Sequence, residues 1–258
     1  MMLDPQPFAG KVALLTGSAG HLAGTTARLL AERGAKIAAV DRAGSDLSAL
    51  SDAIPADRLL VLEADVRDPA QVEAYVNATL ERFGRIDVFF NAAGVAGPVH
   101  PIVDYPVDDF ALVMDVNVKG VFLGLKYVIA AMVAGGGGVI VNAASLAGLR
   151  CSKGVNAYTA SKHAVVALTK VAANEYGNHG VRVCAIAPGP IESPMLDEHL
   201  LHKTNELEQA RAGAAAAIPV GRLGTASDVA KLVAFLASDE AAYLNGIIVP
   251  VDGGLGAG

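Results

Sequence analysis

Short apolar runs alternate along this chain with longer stretches of helical periodicity. Seven runs read as strands, at 12–15, 36–40, 59–63, 88–91, 139–142, 181–187 and 247–251. They are rich in Val, Ile and Leu and lack strict apolar/polar alternation, as expected of strands covered on both faces. Helices are predicted at 22–33, 69–83, 106–133, 156–178 and 227–237. This order predicts an α/β fold: one doubly wound domain over residues 1–258, with about seven parallel strands and helices on both faces. No internal repeat and no linker interrupts it. The segment 195–217 is polar, then Ala-rich, and stands between the last two strands.

Composition narrows the partners. A hydrophobic content of 53% supplies a large core, and the net charge of −6 comes with no basic cluster, which argues against nucleic acid. Residues 127–149 form a 23-residue stretch without charge, but Gly135–Gly138 divide it into a helix end and a strand, so core rather than membrane is expected. Residues 1–11 hold Asp4 and two prolines and no apolar signal segment, so a cytoplasmic protein is expected. Cys151 and Cys184 form no Cys-x-x-Cys pair. His199 and His202 are spaced i, i+3 without a third ligand, and no metal is expected.

The chemistry gathers at strand ends. Lys11–Gly17 reads as a strand ending in a glycine turn, and Ser18–Gly24 leads into a helix, so backbone N–H groups around Gly17, Gly20, His21 and Leu22 can face a diphosphate. Asp41 ends the next strand, 24 residues after Gly17, where an acid can accept the hydroxyls of an adenosine ribose and repel the extra phosphate of NADP. Arg42 beside it could instead pair with that phosphate; the balance favours NAD. Asp65, Asn91, Ser145 and Pro188 also stand at or just past strand ends, where ligands of doubly wound sheets bind. Asn91-Ala92-Ala93-Gly94 offers small residues against which a cofactor can lie. Tyr158 and Lys162, four residues apart, share one face of a predicted helix, with Ser145 thirteen residues upstream of Tyr158. A cation beside a phenol favours phenolate, and a hydroxyl beside both can hold an alcohol oxygen. With a hydride carrier, this set suits carbonyl reduction or alcohol oxidation.

These pieces resemble the short-chain dehydrogenase/reductase family over essentially the whole chain. The matching motifs stand in the family's order: Thr16-Gly17, Asp65-Val66, Asn91-Ala92-Ala93-Gly94, Asn117, Ser145, Tyr158-x-x-x-Lys162 and Pro188-Gly189. The resemblance implies that Asp65 and Val66 contact the adenine and that Ile191 and Ser193 hold the carboxamide. It implies that Lys162 also holds the nicotinamide ribose, and that Asn117 holds a water linking Lys162 to solvent. It implies further that 195–217 is a substrate lid and that the protein is a homo-oligomer, a tetramer or dimer. The long apolar helices and the tail Gly253–Gly258 agree with an oligomer, though both can be buried within one subunit. The glycine loop departs from the family pattern, with His21 and Ala23 where glycines usually stand. Gly20 is expected to supply the lost flexibility, with His21 near the phosphates or ribose. His21 turned to solvent is the other reading.

The expected activity is hydride transfer between NAD(H) and a secondary alcohol or ketone, apolar and cyclic or aryl. Two alternatives remain from the sequence: an NADP-linked 3-oxoacyl-thioester reductase, and an NAD-binding sensor or scaffold without turnover.

Overall fold

The computed structural model describes residues 6–201 and 206–257, so His202 lies outside the described residues. Seven strands are present: β1 (Val12–Thr16), β2 (Lys36–Asp41), β3 (Leu59–Glu63), β4 (Val88–Asn91), β5 (Gly138–Ala143), β6 (Val181–Pro188) and β7 (Ile248–Val251). They form one parallel sheet in the order β3-β2-β1-β4-β5-β6-β7. Every predicted strand is found to within about a residue.

The apolar strand composition has a direct cause in the two faces. All of β1 is buried. Its Ala13 and Leu15 face a core shared with α1 (His21–Glu32) and α9 (Ala226–Ala237), and its Leu14 faces the opposite core. That second core is built by α3 (Pro69–Phe83), α5 (Gly120–Ala134) and α6 (Asn156–Tyr176). Successive side chains of a strand point to opposite faces, so a strand buried on both needs an apolar residue at every step. Helix starts carry the expected signals. Asp68 accepts from Ala70 N ahead of α3, with Pro69 in its first turn. Thr225 and Asp228 form a reciprocal capping box on α9.

The predicted helix at 106–133 is not continuous. It runs as α4 (Val107–Met114), a π-turn (Asp115–Lys119) and α5. Val107–Ala134 is long and apolar enough to cross a membrane by length and composition, yet half of its most apolar 18 residues are buried inside the fold. Leu123, Val128, Ile129 and Met132 lie in the core against the sheet. The short α2 (Ser48–Ala53) was not expected, and the 195–217 segment contains two helices, α7 (Pro194–Leu201) and α8 (Leu207–Ala216).

Strand order reverses at β1, which pairs with β2 on one side and β4 on the other. Crossovers leave β2 and β4 in opposite directions along the sheet, so a crevice opens beyond the carboxyl ends of β1 and β4.

Candidate active site

The glycine turn lies at that crevice. Gly17 follows β1 with φ +71°, and a Cβ there would stand 3.0 Å from Ala93 Cα. Glycine is therefore required twice, for the left-handed backbone and for the close approach of Asn91–Gly94. Thr16 locks the two segments together: its Oγ1 accepts from Ala92 N at 3.1 Å and Ala93 N at 3.2 Å. The expectation for Gly20 needs correction. Its φ is −75°, open to any residue, and it precedes α1 as the N-cap. What limits Gly20 is space, since a Cβ would meet Gly17 O at 3.0 Å. His21 starts α1 without strain, for no residue other than glycine has positive φ among the described residues. Leu22 packs on the core beside it. His21 lines a cavity of about 340 Å³ with Glu192, Ser193, Asp197 and Arg211, so its surroundings include α7 and α8 as well as the glycine turn.

The carboxyl ends of β2 and β3 carry two acids. Asp41 accepts from Ala19 N at 2.9 Å, from Arg42 N at 2.8 Å and from the Ser45 hydroxyl at 2.8 Å. It thereby ties the end of β2 to the glycine turn. Asp65 is gripped by Arg67, whose Nη2 lies 2.6 Å from Asp65 Oδ2. The hydrogen bonds from Arg67 hold the Asp65 carboxyl below its ordinary range.

The reacting groups converge from β5 and α6. Ser145 begins a single 3-10 turn past β5, and its Oγ accepts from Ala147 N at 3.1 Å. This turn lies flat on α6 because residue 148 is glycine; a Cβ there would reach within 2.7 Å of the Lys162 carbonyl oxygen. The Ser145 hydroxyl stands beside the Tyr158 phenol. Lys162 is 5% exposed, and its Nζ donates to Ala143 O at 2.8 Å. The same Nζ lies 5.5 Å from the centre of the Tyr158 ring. Burial pushes the Tyr158 phenol up from its ordinary value, and the Ser145 hydroxyl pulls it back. Burial pushes Lys162 down to about 8. The expectation that Lys162 lowers the phenol is thus overtaken by desolvation, which disfavours the charged form of both groups.

Asn117 explains the π-turn. It is fully buried; its Oδ1 accepts from Val95 N at 2.8 Å, and its Nδ2 donates to Val95 O at 2.8 Å and Ser161 Oγ at 3.0 Å. An interior Asn that bonds a neighbouring strand-end loop bends its own helix, in keeping with its poor helix propensity. Its side chain braces the loop after Gly94 against α6, one Nδ2 hydrogen going to Val95 O and the other to Ser161 Oγ. A Cβ on Gly94 would lie 3.2 Å from Asn117 Oδ1 and 3.5 Å from Lys162 Nζ, so the backbone there runs against both groups.

Pro188 ends β6 and Gly189 N donates to Val251 O at 3.1 Å. Ile191 is buried and forms an isolated bridge with Gly224. The Ser193 hydroxyl donates to Ile191 O and accepts from Leu196 N, capping the start of α7. The described residues named from the sequence lie at the carboxyl ends of β1 to β6, in the turns and helix starts that follow them, and on the π-turn and α6. Sequence reasoning missed Ser161, whose hydroxyl links Asn117 to the Tyr158 carbonyl. Its signal was present, a small polar residue one turn past Ala157 and next to Lys162, on the buried face of α6.

Comparison with known proteins agrees with this geometry. A family described as enoyl-(acyl carrier protein) reductase matches residues 17–256. Levodione reductase from Leifsonia aquatica is 44% identical over 257 residues, covering 97% of this chain and 96% of that protein. A solved levodione reductase structure superposes with a TM-score of 0.93 at 43% identity, over 97% of this chain and 99% of that one. Cyclohexanol dehydrogenase from Acinetobacter sp. (strain SE19) is 36% identical over 248 residues, 95% of each chain. The structure of NAD⁺-bound xylitol dehydrogenase gives a TM-score of 0.88 at 33% identity, over 96% of this chain and 99% of that one.

Proposed function

This chain belongs to the short-chain dehydrogenase/reductase family and is an oxidoreductase acting between an alcohol and a ketone with a nicotinamide dinucleotide; we propose that its cofactor is NAD(H) and its substrate a cyclic secondary alcohol or the matching ketone. The observation that carries this reading is the cluster of buried Lys162 with half-buried Tyr158 and Ser145, beside the Gly17–Ala93 contact. One end of the crevice fits a dinucleotide and the other holds a proton donor.

The residues fit the cofactor. The glycine turn around Gly17, Gly20, His21 and Leu22 would face the diphosphate. Asp41, already an acceptor for three donors, would take the ribose hydroxyls, and its charge would exclude a 2′-phosphate over Arg42. Asp65 and Val66 would border the adenine, Asn91–Gly94 the middle of the molecule, and Pro188, Gly189, Ile191 and Ser193 the nicotinamide. When bound, the nicotinamide supplies or accepts the hydride.

The chain's own groups handle the proton. Ser145 donates a hydrogen bond to the substrate oxygen and fixes it beside Tyr158. In reduction the Tyr158 hydroxyl gives its proton to that oxygen; in oxidation the phenolate takes it back. The Lys162 ammonium stabilises the phenolate at the moment it forms, in a site where burial otherwise disfavours charge. Asn117 holds the Val95 loop in place and, through its backbone, is our candidate for the water that links Lys162 to solvent.

Residues 195–217 act as the lid in this reading. Supporting it, Asp197 of α7 and Arg211 of α8 close on each other at 2.6 Å, and Ser193 hinges α7 to the nicotinamide loop. The cyclic substrate is supported by the cyclohexanol dehydrogenase relative and by two exposed apolar residues, Leu149 after the serine turn and Met195 in the first turn of α7. The reading includes a cytoplasmic homo-oligomer. Two free cysteines suit a reducing compartment, and exposed Val107, Phe110, Phe122 and Val171 form the apolar surface a partner copy would cover.

The test is dinucleotide-linked turnover of cyclohexanol and larger cyclic alcohols with NAD⁺ or NADP⁺. Turnover with NAD⁺ that vanishes in Tyr158→Phe supports the reading. Turnover confined to NADPH and acyl thioesters would sink it.

A further inference from the structure

Resting on that reading, we propose that Asp252 and the C-terminal turn it holds form a wall of the substrate site and position the Ser145 loop against the lid. Asp252 leaves the end of β7 where Val251 pairs with Pro188. It lies directly behind the nicotinamide loop: a Cβ on Gly189 would come within 2.8 Å of Asp252 Cβ. Its carboxylate folds the tail back on itself, Oδ1 accepting from Gly254 N at 3.0 Å and Oδ2 from Gly256 N at 2.7 Å. Gly253 and Gly254 take φ +62° and +88°, the left-handed backbone such a tight reversal needs.

The turn made in this way touches two further walls of the site. On one side it meets the catalytic-serine loop: a Cβ on Gly256 would stand 2.8 Å from Leu146 Cδ1, and the Arg150 guanidinium donates to Leu255 O. On the other it meets the base of the lid, where Val220 N donates to Gly253 O at 3.2 Å and Pro219 packs against Gly254. The turn held by this carboxylate therefore touches the nicotinamide loop, the serine loop and the base of the lid together. Asp252 touches neither Tyr158 nor Lys162. Its effect runs through the placement of Ser145 and the width of the substrate site.

The experiment compares the full chain with Asp252→Ala, Asp252→Asn, Arg150→Ala and a chain ending at Gly254. The readouts are cyclohexanone reduction by NADH, NADH affinity by fluorescence, and amide hydrogen exchange over residues 146–150. We expect KM for the ketone to rise about fivefold or more in Asp252→Ala and the shortened chain, with kcat falling less and NADH affinity within about twofold of the full chain. Asp252→Asn, which keeps one acceptor, should recover part of the loss, and Arg150→Ala should show a milder form of it. Exchange at 146–150 should quicken in each weakened variant. Unchanged KM together with wild-type protection at 146–150 would overturn the proposal. Should the wild-type chain reduce no cyclic ketone, the functional reading above fails by itself. The exchange at 146–150 then decides the brace alone: faster exchange sustains it and unchanged exchange ends it.

Discussion

At the outer end of the crevice, Asp41 and Asp65 stand at strand ends and are met by backbone N–H groups and an arginine from their own loops. At the inner end, Lys162 is 5% exposed, and burial pushes it down while pushing Tyr158 up. In the proposed function the first region recognises with carboxylates that hydrogen bonds fix in place. The second places groups where charge is costly, and in the proposed function a proton moves there when a substrate oxygen arrives. Recognition needs a stable partner, whereas proton transfer needs two states of similar free energy.

This contrast can be broken in steps. Removing the proton donor strikes the inner region hardest: Tyr158→Phe should lower kcat by about 10³-fold or more with NADH affinity almost unchanged, as measured by steady-state turnover and fluorescence titration. Neutralising the outer region should alter selection rather than chemistry. Asp41→Asn should reduce the kcat/KM preference for NAD⁺ over NADP⁺ by roughly 10- to 100-fold, while the rate at saturating cofactor changes little.

Stability provides a third test. Burial disfavours the Lys162 ammonium by roughly 3 kcal/mol, from a folded-state value near 8 against an unfolded 10.5. Below pH 8 both states carry the proton and the cost is fully present. Between 8 and 10.5 the unfolded chain binds more protons, so stability rises with pH. Lys162→Met should remove that rise and gain about 1–2 kcal/mol at pH 7, read by denaturant unfolding, the gain limited by the orphaned Ala143 carbonyl. An unchanged pH slope would mean the amine is neutralised or hydrated in another way. The smallest effect is expected where the two regions adjoin. His21→Ala should weaken NADH binding by about two- to fivefold, and no change at all would leave His21 facing only the lid.

The strands, the crevice and the reacting triple were legible because periodicity and spacing report local backbone and helix faces directly. The continuous helix expected over 106–133 missed the π-turn around Asn117, because the loop at Val95 that Asn117 bonds is distant in sequence. The six-residue α2, Ser-Ala-Leu-Ser-Asp-Ala, is too short to show a period and is held by one buried leucine, Leu50. Gly20 misled because composition cannot distinguish a glycine needed for φ from one needed for space. The Tyr158–Lys162 pair misled for a related reason. Spacing gives their proximity, while the desolvation that decides their protonation comes from the whole fold. The C-terminal tail, read as a surface for a partner copy, owes its shape to Asp252, and nothing local marks which loops a tail will reach.

The pairing of β1 with β4 joins residues about 75 positions apart, as in Val12 N donating to Asp87 Oδ2. A nascent chain that has emerged only through β3 therefore owns half a sheet whose central edge is bare. Nothing short-range can cover it, and loop closure over such a span is slow. The seam sealed by β4 is the same one at which the proposed function seats the dinucleotide. Assembly of the two halves and creation of the binding crevice are therefore one event, and a chain stalled before residue 91 has neither.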